Sequence, residues 1–139
     1  MIVVDTNIIV YLKCTATFNA QACHARDLDP VWVVPTLWRH EFLNALLRIA
    51  RQQELPLHRT LEIWRDTFNG FVSQEYQANM ELALRLAMEQ QLTCYDAQYL
   101  ALAHEFGVRL LTEDKELLRK FPAVAISLNA FCGGAPPSP

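Results

Sequence analysis

Ile2-Val3-Val4-Asp5 constrains this chain more than any other stretch. Three successive β-branched residues favour an extended backbone. An unbroken apolar run, rather than alternation, suits a strand covered on both faces, as in a parallel sheet. The run stops at Asp5-Thr6-Asn7, side chains that cap helices well, and a short helix is expected through Leu12. The same pattern returns along the chain. Val31 to Val34 reads as a strand ended by Pro35, Val108 to Leu111 as another, and Val124 to Ile126 as the last.

The intervals between these strands have helical periodicity. A helix is expected over 18–28, followed by the turn signal Asp29-Pro30. Thr36 is expected to cap a long helix whose apolar positions Leu37, Trp38, Phe42, Ala45, Leu46, Ile49 and Ala50 share one face. His58 to Asn69 reads as a helix ended by Gly70, with a short strand expected at 71–73. Glu75 to Gln91 reads as a helix built on Met80, Leu82, Ala83, Leu86 and Ala87. Thr93 caps the next, through Phe106, with Gly107 at its C′ position, and 113–121 forms a short last helix. No helix is expected after Lys120.

Strands and helices therefore alternate from end to end. The expected fold is a three-layer α/β/α sandwich with a mainly parallel sheet of four or five strands, helices lying on both faces. At 139 residues the chain fits one domain, expected over 1–132, with a disordered tail at 133–139. In such folds ligands sit beyond the carboxyl ends of the strands, where strand order reverses.

Composition narrows the function. Hydrophobic residues are 52% and charged residues 19% of the chain, which excludes disorder for most of it and leaves apolar surface for a partner. A net charge of −3 argues against a generic basic nucleic-acid binder but not against a nuclease that needs carboxylates for metal. Cys14, Cys23, Cys94 and Cys132 have neither redox-pair nor zinc-finger spacing, so free thiols in a reducing cytoplasm are expected, with Cys94 read as a buried small hydrophobe. No secretory signal or membrane helix is expected.

Four acids have places near the predicted ligand edge. Asp5 follows the first strand, Asp114 follows the strand 108–111, Asp96 lies in the first turn of its helix, and Glu41 lies among apolar residues of the long helix. Each has a structural alternative. Asp5 or Asn7 can cap a helix, Asp96 can complete a capping box with Thr93, and Asp114 can serve a helix dipole. Glu41 can pair with Arg39, Arg48 or His40. Taken together, converging carboxylates raise one another's pKa values and stay ionised only with a cation. Oxygen ligands without His or Cys suit Mg²⁺ or Mn²⁺.

The same residues carry a resemblance. Val4-Asp5-Thr6-Asn7, the segment Leu37 to Leu46, Tyr95-Asp96-Ala97-Gln98-Tyr99 with the residues through Ala103, and Leu111-Thr112-Glu113-Asp114 resemble, in order and spacing, a PIN-domain ribonuclease of the VapC toxin type. The resemblance spans about residues 2 to 127. It implies that Asp5, Glu41, Asp96 and Asp114 form an acidic catalytic site, with Asp5, Asp96 and Asp114 as metal ligands. It implies that Asn7 and Thr112 support the carboxylates. It further implies an Mg²⁺- or Mn²⁺-dependent endoribonuclease that leaves 5′-phosphate and 3′-hydroxyl ends on RNA. A cognate antitoxin is the implied inhibitor, able to place an Arg among the acids. A homodimer is expected from the apolar excess. Two other readings use similar parts: a non-catalytic PIN-like interaction module, and a phospho-acceptor signalling domain. The latter wants two adjacent acids after the first strand, where Asp5 is followed by Thr6-Asn7.

Overall fold

The computed structural model describes residues 1–133. The elements run β1 (Ile2–Val4), α1 (Thr6–Lys13), α2 (Asn19–Leu28), β2 (Trp32–Pro35), α3 (Trp38–Gln52), α4 (Leu57–Phe71), β3 (Glu75–Tyr76), α5 (Met80–Gln90), α6 (Cys94–Phe106), β4 (Leu110–Leu111), α7 (Lys115–Lys120), β5 (Ala125–Ile126) and α8 (Leu128–Phe131). A 3-10 turn, Val72–Gln74, joins α4 to β3. The five strands form one sheet in the order β3-β2-β1-β4-β5. Every pairing is parallel, with Val3 opposite Val33 on one side and Leu110 on the other.

Period-two alternation divides the strand residues between two cores. Ile2, Val4, Trp32, Val34 and Leu111 face the layer built from α1, α3 and α4. Val3, Val33 and Leu110 face the opposite layer, against Tyr99, Leu100, Leu102 and Ala103 of α6 and Leu117 of α7. Val3 and Val4 are both inaccessible to solvent, as a run of apolar residues in a doubly covered strand requires.

An aromatic cluster fixes α3 on its face. Trp38 lies 5.9 Å from Phe42, 5.9 Å from Trp64 and 5.5 Å from Phe71, centroid to centroid. Removing one such ring costs about 3–5 kcal/mol. This packing sets the rotation of α3, and with it the direction in which Glu41 leaves the helix.

The polar half of the fold departs from expectation. Thr36 does not cap α3; its hydroxyl donates to Gln77 Oε1 at 3.3 Å, and the helix begins at Trp38 without a side-chain cap. Gly70 does not end α4, because Phe71 extends the helix by burying its ring against Trp38 and Trp32. Residues 71–73 are consequently no strand. The strand is Glu75–Tyr76, which shortens the expected 75–91 helix to α5, capped by Asn79 Oδ1 accepting from Leu82 N at 3.0 Å. A helix does follow Lys120 beyond the last strand: α8, capped by Ser127. Thr93 and Gly107 act as expected, the latter with φ +62°. The four cysteines are free thiols, but Cys94 is exposed rather than buried, since α6 presents its first residue to solvent. Of the expected tail, residues 134–139 lie outside the described residues. Among the described residues no helix is long and apolar enough to cross a membrane.

The strand order reverses at β1. The chain moves from β1 to β2 and β3 on one side, then crosses back to β4 and β5 on the other. The crevice between the carboxyl ends of β1 and β4 is the switch point of this sheet.

Candidate active site

Asp5 and Thr112 emerge side by side at that crevice. The Asp5 backbone N–H donates to Leu111 O at 3.0 Å, which carries the strand pairing one residue past β1. Asp5 occupies the N-cap position of α1 but makes no cap bond with its side chain. Its Oδ2 instead accepts from Thr112 Oγ1 at 2.9 Å. Thr112 is fully buried, and the same hydroxyl accepts from Asp114 N at 3.0 Å. One threonine thus sets the orientation of two acids. Asp114 also has its structural role: Oδ1 accepts from Leu117 N at 3.0 Å and caps α7.

Asp96 enters from α6. Thr93 Oγ1 accepts from Asp96 N at 3.1 Å, so the helix start is capped by the threonine rather than by the Asp96 side chain. Glu41 enters from α3. Its Oε1 accepts from Thr6 Oγ1 at 3.1 Å and from the buried Tyr99 hydroxyl, and those two hydroxyls also touch each other. None of the three residues expected to pair with it, Arg39, His40 and Arg48, does so among the described residues. Arg39 turns away to Glu75, and Arg48 lies across the cavity rim without an ion pair among the described residues.

Asp5, Glu41, Asp96 and Asp114 line one open cavity of about 290 Å³, together with Asn7, Asn44 and Arg48. The structure therefore brings the expected acids to one place, with Thr112 behind them and Asn7 at the exposed rim. Their charge is poorly compensated. Burial, with Glu41 and Asp96 nearby, pushes the Asp5 carboxyl up to about 6, against the opposing hydrogen bond from Thr112. Burial, Asp114 and Glu41 raise Asp96 in the same way. Tyr99 is held well above its ordinary value by burial and by the charges of Glu41 and Asp5, which keeps it a hydrogen-bond donor.

The donor set fits a hard divalent cation. All candidate ligands are oxygens, and the proton affinity of Asp5 and Asp96, raised by burial and by neighbouring acids, is what a bound cation would lower. Among the described residues no three His, Cys, Asp or Glu side chains close on a single point as an ion cage. The acids surround a space instead, with one oxygen each of Asp5 and Asp114 engaged by Thr112 and by the α7 cap. Such an arrangement suits Mg²⁺, which retains several waters and takes few direct carboxylates.

Sequence reasoning missed Thr6 and Tyr99. Both lie inside the motifs that carry the acids, but nothing in spacing alone says that two residues 93 positions apart converge on Glu41. The usable signal was Tyr99 on the apolar face of α6: a buried phenol requires an acceptor.

Comparison with known proteins agrees with this fold. Residues 2–123 match the PIN domain family. Ribonuclease VapC3 of Pyrobaculum aerophilum is 35% identical over 109 residues, 78% of this chain and 79% of that protein. Exonuclease VapC9 of the same organism is 46% identical over 81 residues, 58% of this chain and 60% of that protein. The crystal structure of PAE2754 from Pyrobaculum aerophilum superposes with a TM-score of 0.73 at 25% identity, covering 94% of this chain and 92% of that one. A toxin–antitoxin complex from Klebsiella pneumoniae shares the fold, with a TM-score of 0.68 at 17% identity over 92% of this chain and 98% of that one. The chain belongs to the PIN-domain family and is similar within it to the VapC-type ribonucleases.

Proposed function

We propose that this chain is a divalent-metal-dependent endoribonuclease and the toxin of a toxin–antitoxin pair, acting in the cytoplasm as one domain over residues 1–132. The observation that carries the reading is the shared cavity: Asp5, Glu41, Asp96 and Asp114, from four separate elements, line it with little neutralising charge. Asp5, Asp96 and Asp114 would hold Mg²⁺ or Mn²⁺. When bound, the metal offsets charge on the scissile phosphate and lowers the pKa of a coordinated water. Thr112 keeps the Asp5 carboxylate facing the cavity. Thr6 and Tyr99 occupy Glu41 Oε1, so Oε2 is the oxygen left to orient the attacking water and accept its proton. Attack in line breaks the bond from phosphorus to the 3′-oxygen, leaving a 3′-hydroxyl and a 5′-phosphate.

The acidic cavity also suits inhibition by a basic group. An antitoxin Arg can engage two carboxylates at once and exclude metal. Apolar surface supports assembly: Met80, Leu84 and Met88 are exposed at four-residue spacing along α5, a stripe that a second copy of the chain would cover in a homodimer.

A circular single-stranded RNA tests the activity, and the name Exonuclease VapC9 makes the distinction worth drawing. Linearisation in Mg²⁺ or Mn²⁺, stopped by a chelator, is expected. A circle left intact while linear RNA is trimmed from its ends would make the chain an exonuclease. No cleavage of either form would favour a non-catalytic interaction module.

A further inference from the structure

A second cavity, of about 470 Å³, adjoins the acidic one. The two share Glu41 and Asn44 as a common wall, and Leu37, His40 and Tyr95 complete the second. Tyr95 is 61% exposed, although it lies in the first turn of α6, one residue before Asp96. Among the described residues its ring stacks on no other aromatic group and its hydroxyl makes no hydrogen bond. His40 and Asn44 are likewise exposed and without a side-chain hydrogen bond. One exposed ring needs no explanation. An unpaired ring, an imidazole and an amide beside a carboxylate cavity are different, because they are the groups that bind unpaired bases. Their backbone is rigid: Thr93 caps α6 beneath Tyr95, and the aromatic cluster fixes α3 beneath His40 and Asn44.

We propose that this cavity is a nucleobase subsite. The unpaired base of a nucleotide flanking the scissile phosphate stacks on Tyr95, opposite His40, while the Asn44 amide meets its polar edge. An amide carries both donors and an acceptor, so it can favour one base pattern over another. The phosphate next to that base then reaches Glu41, the residue common to both cavities. The proposal rests on the ribonuclease reading and adds where the substrate's base is held. It also implies that cleavage favours a single-stranded or locally opened RNA, because a paired base must first give up its pairing and stacking to enter the cavity.

The test is steady-state cleavage of a short single-stranded RNA, with a series of abasic nucleotides placed across the cleaved bond. Tyr95→Ala is expected to raise KM by about 5- to 100-fold, the range commanded by one stacked base, with kcat little changed. Tyr95→Phe should restore KM, since stacking needs the ring and not the hydroxyl. At one flanking position an abasic nucleotide should impair the wild-type chain and leave Tyr95→Ala indifferent. If Tyr95→Ala cleaves with an unchanged KM, or if every abasic penalty is the same in both proteins, the subsite is wrong while the ribonuclease reading stands. If the wild-type chain cleaves no RNA, both fall.

Discussion

Two carboxylate environments meet α3 within its first turns, and they are built in opposite ways. Glu75 approaches one side of the helix. It accepts from Trp38 Nε1 at 2.7 Å and from Arg39 Nε at 2.6 Å, with a second Arg39 N–H on its other oxygen. Those partners, Arg39 first, hold its carboxyl below the usual carboxylate range. Glu41 leaves the helix on another side and joins three further acids around a cavity where burial and the neighbouring acids raise Asp5 and Asp96. The first charge is spent inside the fold, joining β3 to α3. The second has no ion-pair partner among the described residues. A buried acid is therefore not by itself a sign of function; a buried acid whose charge the fold has declined to neutralise is.

The largest expected effect separates the two environments by substitution. Asp5→Asn should lower RNA cleavage by more than about 100-fold, beyond what losing an outer-shell group costs a metal site. Without metal the same variant should be more stable than wild type, by about 1–2 kcal/mol, since a charge raised by burial and repulsion has been removed. Glu75→Gln should do the reverse: cleavage close to wild type, and an unfolding temperature lower by about 5 °C. Kinetics and thermal unfolding of both proteins check the crossed pattern. Loss of activity in both, or loss of stability in both, would erase the distinction.

A smaller effect is expected from the hydroxyls that hold Glu41. Tyr99→Phe removes one donor from Oε1 without changing the packing of the ring, and should lower kcat about 10-fold with little change in KM. A larger rise in KM than fall in kcat would place Tyr99 in substrate binding instead.

The smallest effect concerns pH. Asp5 titrates near 6 in the folded chain and near its ordinary value of 3.8 when unfolded. Between these limits the folded state holds a proton that the unfolded state has lost. Relative to Asp5→Asn, the metal-free wild-type protein should therefore lose stability as pH rises from about 4 to about 6, then level off, with a total of about 2–3 kcal/mol at most from this group. Mg²⁺ should offset the loss at pH 7 and have much less effect at pH 4, where the Asp5 carboxyl is protonated. Thermal unfolding of both proteins across that range, with and without Mg²⁺, measures it; a wild-type stability that rises with pH relative to Asp5→Asn through the window would contradict the assigned shift.

Legibility in the sequence followed the same division. The interior strands could be read because Ile2-Val3-Val4 and Trp32-Val33-Val34 are fully buried, and complete burial leaves an unbroken apolar run. The edge strand Glu75–Tyr76 could not, because two residues with one ionic side chain give no periodicity, and its place is set by pairing with Val34 and Pro35 and by Arg39. Gly70 misled because a glycine ends a helix only where φ turns positive, as at Gly107, and a buried Phe71 kept the helix going. Of the site, the four acids were legible as motif positions at predicted strand ends and helix starts. The partners of Glu41 were not, since Thr6 and Tyr99 reach it from α1 and α6 only once the two layers close on the sheet.

We propose that the charge in the cavity is reserved for a divalent cation. It is tested most directly by calorimetric titration of Mn²⁺ into the metal-free chain at pH 7. Saturable binding is expected for the wild-type protein and for Glu75→Gln, and loss of that binding for Asp5→Asn. Absence of saturable binding by the wild-type chain, or binding that Asp5→Asn retains unchanged, would contradict the account.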